Sequence, residues 1–201
     1  MSYYEQILSE AIRCAKDALS LDWTGMRDEM KLKRAIGMFQ TLINEYPCLP
    51  QAYKGLGEFY MMLADQEHNS ILGMSFRNSA KANLLQLVSL GMANATDLYN
   101  LGAISRDEGD YDKAIEYYKK SMELKPDFET CCNLGVMYYN KCDDQMALQC
   151  FQRALEMMDD KFDPSAALIY RNMANVYHNL EIVEKELECR EIADRLEGVM
   201  F

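Results

Sequence analysis

The chain has 201 residues, with 21 basic against 32 acidic side chains and a formal net charge of −11. A phosphate-binding face needs clustered Lys and Arg, so this balance excludes a nucleic-acid partner and disfavours an anionic membrane surface. Hydrophobic residues make up 49%, with only 4 prolines and 10 glycines, which leaves no extended linker or low-complexity tail.

The opening segment, MSYYEQILSEAIRCAKDALSL, has no basic region followed by an apolar core and does not read as a signal peptide. No run approaches the ~18 apolar residues of a spanning helix. Seven cysteines fit a reducing compartment, so a cytoplasmic location is expected.

In chain order, Ile7 to Leu19 forms an amphipathic helix, and after the long connection LDWTGMRDEM a second helix carries Ala35, Phe39 and Leu42 and stops at Pro47. A second pair opens on Leu56, Gly57 and Tyr60 and closes on Ala80, Leu84 and Leu87. The segment Ala95–Pro126 is the most regular. Leu98, Leu101, Gly102 and Ser105 fall on one face, Gly109 interrupts, and Ala114, Tyr118 and Ser121 form a second stripe. Leu134, Gly135, Tyr138, Ala147, Phe151 and Ala154 repeat that pattern. A last copy begins at Asn172-Met173-Ala174 and Tyr177, but Glu186 and Arg190 stand where a small residue and an aromatic belong, so its second helix reads as a polar terminal cap.

The small residues Ala35, Ala80, Ala114 and Ala147 are spaced by 45, 34 and 33 residues. This spacing and pattern resemble the tetratricopeptide repeat, whose period is about 34 residues. The resemblance implies an all-α, right-handed superhelical solenoid of about five helix-turn-helix pairs, with repeats near 4–47, 50–93, 95–127, 128–164 and 165–198 in a single domain. Gly57 to Ala80 spans 23 residues where Gly102 to Ala114 spans 12. The surplus in ADQEHNSILGMSFRN should lengthen helices or protrude as a loop.

The resemblance also implies a protein–protein interaction module, an adaptor or scaffold that takes a peptide or partner helix in a concave groove. In related arrays an Asn just before the Leu-Gly pair holds peptide main chain, which points to Asn100, Asn133 and Asn172; the alternative is that Asn is simply common there in the motif. Tyr99 and Arg106, Cys132, Val136 and Tyr139, then Arg171, Asn175 and His178 flank this ladder, and Lys54 extends it towards the N-terminus. Some relatives clamp a chaperone's C-terminal carboxylate. Lys54 and Asn100 match that clamp, but Glu58, Glu129 and Asn133 do not, and Glu129 would repel the carboxylate.

No catalytic, metal or cofactor site is expected. His68 and His178 are far apart, Cys131-Cys132 lacks zinc spacing, and Gly55-Leu56-Gly57 lacks a third glycine and a preceding strand. Asp159 to Asp163 lacks the alternation of a calcium loop. Two further readings stand beside the adaptor: a cytosolic secretion-type chaperone for an exported client, and an enzyme or redox protein using Cys132 or His178. Val199-Met200-Phe201, or the terminal hairpins, could seat a second copy.

Overall fold

The computed structural model describes residues 2–20, 28–67, 70–159 and 163–198. Trp23, His68, Lys161, Phe162 and the Val199-Met200-Phe201 tail lie outside them. The described residues form ten α-helices and no strand, in five sequential pairs. The fold is all-α and tetratricopeptide-like. It divides into two compact units, Met1–Ala93 and Asn94–Phe201, where the repeat pattern alone draws no boundary.

The first unit holds α1 (Tyr3–Leu19), α2 (Glu29–Glu45), α3 (Pro50–Gln66) and α4 (Ile71–Ser89). Its core joins Ala11, Ala15 and Ala18 of α1 to Ala35 and Phe39 of α2, Leu56, Phe59 and Leu63 of α3, and Phe76 of α4. The surplus residues of the second pair lengthen its helices. α3 and α4 run 17 and 19 residues, against 13 and 14 for the first pair of the second unit. Gly55 is what lets α2 and α3 meet. A Cβ there would stand 2.6 Å from the Phe39 ring, while one at Gly57 would meet Leu84 at an ordinary 3.4 Å.

The second unit holds α5 (Ala95–Asp107), α6 (Tyr111–Leu124), α7 (Phe128–Asn140), α8 (Asp144–Met157), α9 (Ser165–Asn179) and α10 (Val183–Leu196). Short polar residues start most of these helices. Asn94 and Asp97 form a reciprocal capping box on α5, and Asp110, Asp127 and Asp143 cap α6, α7 and α8 by accepting from backbone N–H groups. Each regular pair then closes on one contact. Tyr118 of α6 and Phe151 of α8 are almost wholly buried, and their rings lie where a Cβ on Gly102 of α5 or Gly135 of α7 would come within 2.6 and 2.7 Å. Burying each ring contributes about 2–3 kcal/mol, available only because the facing position has no side chain.

α10 departs from that pattern as the sequence suggests. Only Cys189 and Ala193 are buried on it, and Glu186 and Arg190 pair with one another at 3.1 Å.

The turns inside the three pairs share a left-handed residue at the same register position: Gly109 (φ 77°), Cys142 (φ 59°) and Glu181 (φ 58°). Glycine adopts this backbone freely, but Cys and Glu do so at a cost. Replacing the exposed Cys142 by Gly is therefore expected to raise unfolding stability by about 1 kcal/mol in urea titration. Gly102→Ala is expected to lower it by about 1–3 kcal/mol, because Tyr118 has no room to yield.

Candidate peptide-binding face

Helices α5, α7 and α9 are the first helices of their pairs, and each carries one rung of the expected ladder. All three rungs, Asn100, Asn133 and Asn172, are half-buried. Two of them reach back to the preceding first helix. The Asn133 side-chain amide on α7 donates to the Tyr99 hydroxyl on α5 at 3.1 Å. Asn172 Nδ2 on α9 stands 4.0 Å from Cys132 Sγ on α7 in a weak N–H···S contact. The same helical offset that aligns the rungs brings each within reach of the residue just before the previous one.

Two cavities open on this side of the unit. One of about 390 Å³ is lined by Thr96, Tyr99, Asn100, Lys125, Phe128 and Glu129, among others. The second, about 250 Å³, lies between α5, α7 and α9 and is lined by Tyr99, Phe128, Glu129, Cys132, Asn133, Leu168 and Ile169 with Ser165. Tyr99, Phe128 and Glu129 belong to both. Tyr99 also packs on Tyr118, ring centroids 5.7 Å apart, so the groove floor rests on the core contact below it. Burial, with the Glu129 carboxylate nearby, pushes the Tyr99 hydroxyl up and keeps it a neutral hydrogen-bonding group.

Thr96, Phe128, Glu129 and Leu168 each sit one helical turn before a rung or its neighbour. Of these, motif matching alone singles out only Glu129, as a clamp position. The legible signal is the i−4 position on each first helix, which shares a face with the rung. Leu168 is 60% exposed, an apolar side chain with no core role.

The flanking residues divide into two groups. Cys132, Val136 and Tyr139 are half-buried along α7 and pack against the core of the unit. Arg106 on α5 is bound to its neighbour Asp107 at 2.9 Å. Arg171 is turned away from its expected place as a groove cation. Its guanidinium donates to Glu197 at 2.9 Å and to Asp194 at 3.1 Å, tying α9 to the end of α10. His178 is exposed and its Nδ1 lies 3.1 Å from Glu186, while Asn175 is exposed beside it. These contacts hold the Glu197 and Glu186 carboxyls below the usual range, Glu197 through Arg171 and Glu186 through His178 and then Arg190. Their contribution to holding α10 is present above the ordinary carboxylate pKa and lost as pH falls through the lowered one.

Lys54 belongs to the first unit. It lies 3.9 Å from Glu58, and both line a largely apolar cavity of about 290 Å³ between α1 and α3 with Leu8, Ile12 and Met62. Among the described residues no group of three or more His, Cys, Asp or Glu is placed to hold a metal ion, and no helix is long and apolar enough to cross a membrane.

The repeats themselves match known proteins. The tetratricopeptide repeat family model matches residues 95–128 and again 128–161. Among curated relatives, "Photosystem I assembly protein Ycf3" of Prochlorococcus marinus (strain MIT 9313) is 30% identical over 102 residues, covering 49% of this chain and 56% of the relative. The protein of that name from Synechococcus sp. (strain CC9311) is 27% identical over 100 residues, covering 48% and 55%. The chain thus spans about half the length of the curated relatives it matches. Two solved structures share the fold. YrrB, described as a TPR protein with an unusual peptide-binding site, has a TM-score of 0.73 at 21% identity, covering 98% of this chain and 93% of its own. MamA has a TM-score of 0.75 at 14% identity, covering 96% and 93%. Residues 95–161 thus carry two matched tetratricopeptide repeats.

Burial raises the Cys132 thiol to about 11. At pH 8 roughly one molecule in a thousand carries the thiolate. Native-state labelling with an aromatic disulfide reagent is expected to be slow at Cys132 and fast at the exposed Cys48 and Cys142, with the Cys132 rate climbing steadily towards pH 11.

Proposed function

We propose that this chain is a protein-interaction scaffold that takes an extended peptide or a partner helix on the face formed by α5, α7 and α9. The observation that carries the reading is the second cavity, where an apolar floor of Tyr99, Phe128, Leu168 and Ile169 is edged by the amide of Asn133. Such a surface takes an apolar side chain while amides meet the main chain on either side. Glu129 at its edge favours a ligand with a cation or a neutral amide there over a free carboxylate. Recognition on this reading needs no catalytic step, and the neutral, half-buried Cys132 supports it. The acidic charge and the absence of a membrane-crossing helix among the described residues fit a protein partner met in the cytoplasm, in preference to nucleic acid or lipid.

The curated relatives are named as photosystem I assembly proteins. That name favours a second reading within the same mechanism, in which the bound segment belongs to a client held before assembly. The secretion-type chaperone is the variant of this reading in which the client is exported.

A peptide selected on the full chain from a random display library is the probe. Changing Asn100, Asn133 and Asn172 together to Ala is expected to weaken its calorimetric affinity about tenfold or more, from net hydrogen bonds worth about 1 kcal/mol each. Unchanged affinity with an intact helical spectrum would remove the ladder from the mechanism.

A further inference from the structure

The turn of each pair in the second unit fixes the register of the helix after it. Counted from the left-handed residues Gly109, Cys142 and Glu181, one position falls on Ile115 of α6, Leu148 of α8 and Leu187 of α10. Ile115 is buried in a core that runs on into α7 and α8, and Leu148 packs half-buried against that core. One turn earlier, Tyr111 of α6 packs against it too, and the counterpart on α10 is Val183. On α10 both positions stay open. Val183 is 61% and Leu187 54% exposed, and Leu180 and Ile182 of the preceding turn are exposed beside them. The charges around this face are one-sided. Val183 and Leu187 share it, Glu191 extends it by another turn, and Glu184 and Glu188 flank it. Among the described residues, the ion pairs of α10 engage Glu186, Arg190, Asp194 and Glu197 instead, and Lys185 lies over the Tyr177 ring. Three exposed carboxylates are left to solvent, with Arg195 one turn beyond Glu191.

We propose that this face of α10 is a second docking surface, sharing no residue with the ladder, and that it takes a basic amphipathic helix of a partner protein. The shape follows from the chain itself. α7 packs on α6 and α9 on α8, so the element that meets this register elsewhere in the unit is a helix. The charge follows from the carboxylates. An apolar stripe on the partner covers Val183 and Leu187, while its Lys or Arg side chains stand beside Glu184, Glu188 and Glu191. A second copy of this chain would bring the same carboxylates against one another, and a helix edged with acids would meet the same repulsion. The Arg171 guanidinium, bonded to Asp194 and Glu197, already holds α10 against α9, so the surface is formed before the partner arrives.

The probe is a synthetic, fluorescently labelled helix with leucines along one face and lysines on both flanks, titrated against the full chain by fluorescence anisotropy. Saturable binding is expected, and the same helix with glutamates in place of the lysines should not bind. Val183→Ser with Leu187→Ser should weaken binding about tenfold or more, because two apolar contacts are lost without touching the core. Glu184→Gln, Glu188→Gln and Glu191→Gln together should weaken it about tenfold at low salt and flatten its dependence on ionic strength. Changing Asn100, Asn133 and Asn172 together to Ala should leave it unaltered, which separates this surface from the proposed peptide groove. Circular dichroism checks that each variant keeps its helical spectrum. No binding, equal binding of the glutamate helix, an affinity indifferent to the Val183 and Leu187 changes, or its loss in the folded ladder variant would overturn the proposal. So would a dimer in sedimentation equilibrium that Leu187→Ser dissociates, since it would assign the face to a second copy.

Discussion

The second unit depends on an aromatic ring pressed against a backbone that carries no side chain. Tyr118 over Gly102 and Phe151 over Gly135 hold each helix pair at a separation that no other residue at the glycine would permit. The candidate face is tied to this contact through Tyr99. Tyr99 packs at a tilt against Tyr118, Asn133 bonds to Tyr99, and both cavities of the face share Tyr99. A displacement of the ring by an ångström would therefore be felt at the ladder, since packed interiors transmit strain where they have no voids to absorb it.

The N-terminal unit solves the same problem with different pairs. Gly55 accepts the Phe39 ring from α2, the helix before it in the chain, while the position matching Gly102 is Gly57, which meets the smaller Leu84. The last pair of the chain abandons the device. It holds α10 with small buried residues and with ion pairs from Arg171, which suits a helix whose remaining faces are charged. Exposed pairs of this kind contribute little each, so α10 is held by geometry shared among several of them.

Much of this was legible in the sequence, because helical periodicity reports which face of a helix a residue occupies. The glycine and aromatic positions and the small-residue stripes follow from spacing, and the three Asn rungs from the family resemblance laid over it. What periodicity cannot report is which neighbour a face meets. Arg171 shares a face with the ladder yet turns to α10, where Asp194 and Glu197 outcompete solvent for its guanidinium. Gly55 looks redundant beside Gly57 until α2 is placed against it. Cys131 and Cys150 are nineteen positions apart, and the thiol of one reaches the backbone carbonyl of the other only through the turn at Cys142. The surplus before Ala80 could have been loop or helix, and capping by Ser70 together with the long α4 decides it as helix.

The bond from Asn133 to Tyr99 has a kinetic meaning as well. On the proposed reading, with this rung already occupied by an internal partner, an incoming main chain would exchange a hydrogen bond there and not add one. The tyrosine hydroxyl remains within a rotamer's swing of the amide and recaptures it whenever the guest loosens. A face built this way carries its own competitor, which limits residence time without narrowing the range of sequences admitted. On that reading, short-lived and repeated engagement is the behaviour such wiring favours.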